Sequence, residues 1–258
     1  MTIGTNPVAA SLGPLELEWV SLFIVAGIAL AGGLSIWRAR PLGLSVGNGY
    51  GLALRAVIWG LVGGRLFHIV DNWDFYSSVP LKVFAIGTGG ISLWGAILVG
   101  SLGLAFSARK QRLPLRKLAD VAALPALAGQ ALGRVGDALV GERLADVSSL
   151  PWSVTYLHPD SVSYSVEAAS RHPVALYELV WDVAVLGVLW RWRGRLHHDG
   201  ALFVAYLAAY AAGRFVISFM RLDPVWFLGF QQAQVLSLAV LSTALWVAWR
   251  WRGQAAGA

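Results

Sequence analysis

The chain alternates between long apolar stretches and short polar connections, and each apolar stretch is about as long as a membrane-crossing helix. A spanning helix needs roughly 20 mostly apolar residues, because the bilayer core offers no water to its backbone polar groups. The pattern predicts seven transmembrane helices, at about 17–37, 49–70, 88–107, 117–140, 174–192, 200–220 and 229–249. We therefore expect an all-α integral membrane protein that forms a single polytopic domain over residues 1–258.

Basic side chains collect on one side of these predicted helices. Of the 20 Lys and Arg residues, twelve follow the first, third, fifth or last apolar stretch: Arg38, Arg40, Arg109, Lys110, Arg112, Arg116, Lys117, Arg191, Arg193, Arg195, Arg250 and Arg252. Because cytoplasmic loops carry the excess of positive charge, this distribution predicts an N-out/C-in orientation. The longest loop, 141–173, would then form a small extracytoplasmic, periplasmic head region between the fourth and fifth helices.

Composition supports a membrane protein and narrows the possible chemistry. Hydrophobic residues make up 57% of the chain and charged residues 13%, whereas a soluble domain carries about 25% charged residues. The net charge of +6 does not indicate nucleic acid, since the basic residues record topology. Cysteine is absent, so any reacting thiol must belong to a substrate. The sequence His-His-Asp at 197–199 is interpreted as a solvated loop, and neither a metal site nor a cofactor is predicted.

Four arginines lie in the outer half of the predicted helices or at the outer end of one: Arg65, Arg134, Arg214 and Arg221. A charge at the bilayer centre costs about 2.5–3.5 kcal/mol on insertion scales, so it needs a partner or a function. Because the guanidinium fork suits a phosphate, we predict a polar cavity, open toward the outer leaflet, that holds an anionic head group. The alternative is that the arginines form structural ion pairs with nearby acids, which are Asp137, Glu142, Glu178 and Asp182.

Five short motifs resemble, in order and spacing, those of the prolipoprotein diacylglyceryl transferases of bacterial inner membranes. The strongest is GRVGDALVGE at 133–142, which resembles the family signature Gly-Arg-x-Gly-Asn-Phe-x-Asn-Gly-Glu. RHPVALYE at 171–178 is similar to Arg-His-Pro-x-Gln-Leu-Tyr-Glu. The other three motifs are at 63–66, 210–221 and 234–237, so the resemblance extends over nearly the whole chain.

This resemblance implies an activity and a set of site residues. The family transfers the diacylglyceryl group of phosphatidylglycerol to the lipobox cysteine thiol in the signal peptide of a prolipoprotein, and releases glycerol phosphate. Arg134 would bind the lipid phosphate, and Arg214 would be the second essential cation. The residues implied to shape or support the substrate cavity are Gly136, Glu142, His172, Tyr177, Glu178, Arg65 and Arg221. A multi-pass protein of the bacterial cytoplasmic (inner) membrane, surrounded by membrane lipids, is also implied.

The chain departs from the family pattern at positions close to the implied chemistry. The departures are Val20 for a functional tyrosine, Trp94 for a histidine that is the candidate base, Asp137 for an asparagine, Phe67 and His68 for Gly-Tyr, Ala145 for a glycine and Ser218 for a glutamate. An indole is only a hydrogen-bond donor, so Trp94 cannot take a proton from a thiol. Two substitute bases are predicted: His68, unless it is a structural histidine, and Asp137, unless it is the ion-pair partner of Arg134.

Two other functions remain possible from the sequence. A divergent relative on the same scaffold would bind an anionic lipid without prolipoprotein transfer, or would use another acceptor, which the departures from the pattern would explain. A transporter or channel would also place charges in the membrane. No inverted repeat or pair of broken helices is visible in the sequence, which disfavours a transporter.

Overall fold

The computed structural model describes residues 1–13, 15–84, 90, 92–164 and 169–256. Seven long helices lie within these ranges, together with a short one, α3 (Trp73–Ser78). The long helices are α1 (Trp19–Ala39), α2 (Val46–Asp71), α4 (Leu93–Lys110), α5 (Leu115–Val140), α6 (Val174–Trp192), α7 (Ala201–Ser218) and α8 (Gln232–Ala256). Short 3-10 helices lie at Arg40–Leu42, Pro80–Phe84 and Arg193–Arg195. Each long helix overlaps one predicted apolar stretch, although residues 88, 89 and 91 of the third stretch lie outside the described ranges.

By length and hydropathy, four helical segments of the described residues are suited to cross a membrane: Trp19–Leu42, Val46–Asp71, Ala201–Ser218 and Gln232–Trp251. The prediction of an all-α membrane protein is therefore confirmed in its coarse form. Among the remaining long helices, α5 and α6 carry ionisable side chains along their length, including Asp137, Glu178 and Asp182. Charged groups lower the mean hydropathy of a helix, and in these two helices they belong to the site described below.

The residues fall into two compact units, one formed by Met1–Ser35 and Ala119–Ala258 and the other by Ile36–Leu118. In the first unit, α5, α6 and α7 share an apolar core formed by Ala123, Leu124, Leu127, Val185, Leu189, Leu202 and Tyr206. Helix α7 begins where Asp120 of α5 accepts hydrogen bonds from the backbone nitrogens of Gly200 and Phe203, at 2.6 and 2.9 Å. These bonds satisfy N–H groups that a helix start leaves free, and they hold α7 against α5. In the second unit, α2 packs along α4.

The end of α5 is fixed by hydroxyl groups of the head region. Gly141 follows the helix with a φ of +69°, the left-handed conformation that commonly terminates helices. The hydroxyls of Tyr156 and Ser161 donate to the carbonyls of Ala138 and Val140, at 2.8 and 2.6 Å. Burial raises the pKa of Tyr156 to about 12, with a further contribution from the charge of Asp137, so this hydroxyl remains a donor at neutral pH.

Within the described part of the chain, six short strands form three two-stranded sheets: β1 (Thr2–Ile3) with β4 (Thr155–Tyr156), β2 (Val8–Leu12) with β3 (Leu15–Glu18), and β5 (Val225–Phe227) with β6 (Phe230–Gln231). The first of these sheets joins the N-terminal segment to the head region, and its strands are parallel. The α7–α8 loop also contacts the head region, since Asp146 N donates to Met220 O and Leu222 N to Leu144 O. The N-terminal segment, the head region and the α7–α8 loop therefore lie together in the first unit.

Candidate active site

Glu178 is the centre of a buried ion cluster to which three helices contribute. Its Oε1 lies 2.5 Å from Nη1 of Arg214, and its Oε2 lies 2.9 Å from Nη1 of Arg134. Glu178 is only 4% exposed, and it stands on α6 between the arginine of α5 and the arginine of α7. A carboxylate shared in this way neutralises charge that would otherwise be buried uncompensated, so the cluster ties the three helices together.

A second ion pair lies beside the first and involves the loop that follows α7. Nε and Nη2 of Arg221 donate to the two carboxylate oxygens of Asp223, at 2.7 and 3.0 Å, which is the bidentate geometry that arginine favours. Burial alone would raise the pKa of Asp223. The hydrogen bonds and charge of Arg221 outweigh that effect, with further help from Arg214 and Arg143, and they hold the pKa below its ordinary value.

Asp137 is held by two guanidinium groups. Its Oδ2 accepts from Nη1 of Arg134 at 3.0 Å, across one turn of α5, and from Nε of Arg143 at 3.4 Å. The sequence left open whether Asp137 is a base or the partner of Arg134. The ion pair between the two residues is present in the structure, and a catalytic role for Asp137 stays a prediction.

A small open cleft lies against this cluster, and its empty space of about 210 Å³ includes space open to the surroundings. It is lined by Arg134, Glu178, Trp181, Asp182, Tyr210, Gly213, Arg214 and Ile217. Trp181 donates its indole N–H to the carbonyl of Ala209 at 2.9 Å, and its ring occupies the space where a Cβ of residue 213 would lie. Glycine at 213 therefore allows the indole to pack against α7. The wall of the cleft combines an aromatic surface with charged groups, of which Arg134, Glu178 and Arg214 are held by ion pairs with one another.

The two arginines of the cleft retain unused donors. Arg134 contacts its carboxylate partners through Nη1, and its Nε and Nη2 make no hydrogen bond to the described residues. Arg214 likewise bonds through Nη1, while its Nη2 lies 3.9 Å from the nearest oxygen of Asp223. A guanidinium held by one nitrogen is oriented and still offers donors to a second anion. A phosphate, like a carboxylate, has oxygens whose spacing fits the guanidinium fork, so it is an anion that these free donors suit.

The other predicted residues of this unit make contacts of their own. At Gly136, a Cβ would lie 2.8 Å from the Cβ of Phe23, so this glycine permits close packing of α5 against α1. Burial raises the pKa of Glu142. The positive charge of Arg143 acts against this rise, and the negative charges of Asp137 and Glu18 add to it. The Tyr177 hydroxyl accepts from Trp152 Nε1 at 2.8 Å and lies 3.3 Å from Nδ1 of His172.

Arg65 and His68 belong to the second unit. Arg65 is 8% exposed and donates from Nε, Nη1 and Nη2 to the carbonyls of Val83, Gly90 and Lys82, at 3.1, 3.1 and 2.8 Å. These bonds position the backbone that follows α3. Nδ1 of His68 lies 3.3 Å from the Asn72 amide nitrogen. A substrate-binding role for Arg65 and a catalytic role for His68 stay predictions.

Three residues of the site, Arg143, Trp181 and Asp223, were not predicted from the sequence, and Asp182 was named only as a possible ion-pair partner of the arginines. The spacing carried a usable signal for Asp182, because it follows Glu178 by four residues and therefore lies on the same face of α6. Asp223 gave no comparable signal. It is two residues from Arg221 in a loop, where no helical periodicity indicates which way a side chain points.

Residues 7–250 match the sequence profile of the family described as prolipoprotein diacylglyceryl transferase. The chain belongs to this family. Among its relatives, the phosphatidylglycerol–prolipoprotein diacylglyceryl transferase of Mycobacteroides abscessus is 36% identical over 231 residues, covering 83% of this chain and 67% of the relative. The enzymes of the same name from Dehalococcoides mccartyi and Streptococcus pyogenes are 33% and 32% identical, with 92% and 93% of their lengths covered.

Three of the residues that depart from the family pattern, Ser218, Ala145 and Trp94, differ in burial and in their contacts. Ser218, in place of a glutamate, is fully buried and donates its hydroxyl to the carbonyl of Phe215 at 2.6 Å. Ala145, in place of a glycine, is buried and its carbonyl accepts from Nη1 of Arg171 at 2.7 Å. Trp94 lies in the first turn of α4 with 43% of its surface exposed. Arg221, three residues beyond Ser218, pairs with Asp223.

Proposed function

We propose that this chain transfers the diacylglyceryl group of phosphatidylglycerol to the lipobox cysteine thiol of prolipoproteins and releases glycerol phosphate. The observation that carries the proposal is the pair of guanidinium groups, Arg134 and Arg214, held by Glu178 at the wall of one cleft. Membership of the family and the names of its relatives support the same reaction and the same two substrates.

The geometry suits a reaction in which a phosphate departs. The incoming thiolate sulfur forms a bond to the carbon of the diacylglyceryl group that carries the phosphate, while the bond from that carbon to the phosphate oxygen breaks. Negative charge grows on the leaving phosphate, and fixed guanidinium groups in a site with little water stabilise that charge without reorganising. Arg134 and Arg214 are already oriented by carboxylates, so little conformational entropy is lost when the lipid binds.

The proton of the thiol requires an acceptor, and the sequence gives two candidates. Oδ2 of Asp137 is already occupied by donors from Arg134 and Arg143. The imidazole of His68 has only an amide neighbour at Nδ1 among its hydrogen-bond contacts with the described residues. Both residues remain candidate acceptors in the proposal.

The reaction can be tested with the purified chain in lipid nanodiscs that contain phosphatidylglycerol and a synthetic lipobox peptide. We expect a thioether-linked diacylglyceryl peptide together with glycerol phosphate, both measured by mass spectrometry. The matched control is the same peptide with serine in place of its cysteine, which should yield neither product. A folded, phosphatidylglycerol-binding chain that modifies no lipobox peptide would exclude prolipoprotein transfer.

That negative result would instead support the divergent-relative alternative, in which the chain binds anionic lipid without this transfer or uses another acceptor. The observation that favours this alternative is Trp94, whose indole N–H has no capacity to accept a proton. The two functions separate cleanly in the same experiment, because lipid binding is common to both and a modified cysteine is produced by only one.

We further propose seven spans in the bacterial inner membrane, with the N-terminus outside and the C-terminus in the cytoplasm. The charge distribution supports this orientation. The contacts within the first unit also support it, because the N-terminal segment, the head region and the α7–α8 loop lie together. Four long helices separate the N-terminal segment from the head region, and two separate the head region from the α7–α8 loop. Even numbers of spans return the chain to the same side of a membrane.

The absence of cysteine makes this topology simple to test. Ser149→Cys places a thiol on an exposed position of the head region, and Gly194→Cys places one on an exposed position after α6 where a side chain meets no other atom. A membrane-impermeant maleimide should label the Ser149→Cys protein in intact spheroplasts and the Gly194→Cys protein only after permeabilisation. Labelling in the reverse order would overturn the orientation.

A further inference from the structure

Asp182 is the one acid lining the cleft that forms no ion pair within the described residues. Glu178, the other acid of the lining, is engaged by Arg134 and Arg214. Asp182 is 3% exposed, and its Oδ2 is buried and accepts no hydrogen bond from the described residues. A buried acceptor without a donor is costly, generally by about 1–3 kcal/mol, and it calls for an explanation in a folded protein.

The position of this free oxygen is informative. Asp182 follows Glu178 by one turn of α6 and lines the same cleft as Arg134 and Arg214. The free Oδ2 of Asp182 would therefore share the cleft with a phosphate bound by the two arginines. An oxygen of a second anionic group cannot satisfy it, because two acceptors do not bond. A ligand that carries a hydrogen-bond donor next to its phosphate would satisfy the arginines and Asp182 together.

We propose that Asp182 accepts a hydrogen bond from a hydroxyl of the lipid head group and thereby selects a polyol phosphate ester. This inference rests on the proposed function, in which the lipid is phosphatidylglycerol. Its head-group glycerol carries hydroxyls on the carbons that follow the phosphate ester, so one ligand supplies both the anion for the arginines and the donor for Asp182. Asp182 is then a specificity-determining residue that contacts the head group and takes no part in bond making.

The proposal can be tested by comparing phosphatidylglycerol with phosphatidylpropanol, which has the same phosphate and acyl chains but no head-group hydroxyl. Wild-type protein should prefer phosphatidylglycerol in kcat/KM by about tenfold to a hundredfold, the factor that follows from one hydrogen bond to a charged acceptor. Asp182→Ala should lower kcat/KM for phosphatidylglycerol to the phosphatidylpropanol value and leave the latter unchanged. Asp182→Asn keeps an acceptor oxygen and should retain part of the preference.

The controls distinguish this role from a structural one. Asp160→Ala makes the same chemical change on an exposed side chain and should leave the preference intact. If Asp182→Ala lowers the rates with both lipids equally, Asp182 only supports the fold and the proposal is wrong. The proposal is also wrong if the wild-type protein does not distinguish the two lipids. Binding of phosphatidylethanolamine as tight as that of phosphatidylglycerol would contradict it as well, since Asp182 would then be a site for an ammonium group.

The failure of the proposed function would be visible separately. Lipid affinity is measured in parallel by competition in nanodiscs, where no peptide is present and no transfer is needed. A wild-type protein that transfers nothing to the lipobox peptide but binds phosphatidylglycerol in preference to phosphatidylpropanol, with the preference lost in Asp182→Ala, would remove the transferase function and keep this inference. Transfer without a head-group preference would do the opposite.

Discussion

Glu178→Gln is expected to abolish transfer and to lower the thermal stability of the protein in detergent. The glutamine keeps the size of the side chain but removes the negative charge that Arg134 and Arg214 share. Removing one member of a buried ion pair generally costs about 3–5 kcal/mol, because the remaining charge is left uncompensated. Arg214 is left with less compensation than Arg134 in this variant, since Arg134 keeps its ion pair with Asp137. Thermal unfolding followed by tryptophan fluorescence, together with the peptide assay, measures both effects.

The matched control for this prediction is Glu16→Gln. It makes the same chemical change on an exposed strand near the N-terminus, so it should change neither the unfolding temperature nor the rate. A Glu178→Gln protein as stable and as active as the wild type would show that the cluster contributes little to either property. That outcome would contradict the central place of Glu178 in the site.

The helices were predictable because their signal is local. A run of about 20 apolar residues is visible within one segment of sequence, and the bilayer imposes the same length on every span. The predicted stretch 174–192 coincides with α6, and 117–140 differs from α5 only at its start. The ends of α8 and α4 were less well predicted, since polar interfacial residues continue a helix beyond its apolar part.

The pairing of charges was only partly predictable, because it depends on contacts between helices. The sequence indicated that buried arginines need acidic partners, and Asp137 could be assigned to Arg134 from their spacing on one helix. Nothing local indicated that Arg134 and Arg214 meet at the same carboxylate of α6. The unfilled acceptor on Asp182 could not be predicted either, since it depends on the position of every donor around it.

Arg214 could bind the lipid phosphate or brace α7 against α6, and the two roles predict different results when Arg214 and Glu178 are removed together. The double variant Arg214→Gln with Glu178→Gln deletes one positive and one negative charge together. The remaining charges keep partners, because Arg134 contacts Asp137 and Arg221 contacts Asp223. Stability should therefore recover a large part of what Glu178→Gln alone loses, as expected for two residues that contact each other.

Transfer activity should not recover in the double variant. The leaving phosphate loses the guanidinium of Arg214 whether or not the cluster is neutral, and one electrostatic stabiliser of a developing charge is generally worth about a hundredfold to a thousandfold in rate. The measurement is a double-mutant cycle in which the unfolding temperature and kcat/KM are determined for the wild type, both single variants and the double variant. If the rate recovers together with the stability, Arg214 acts by bracing α6 against α7. If only the stability recovers, the guanidinium acts on the lipid phosphate.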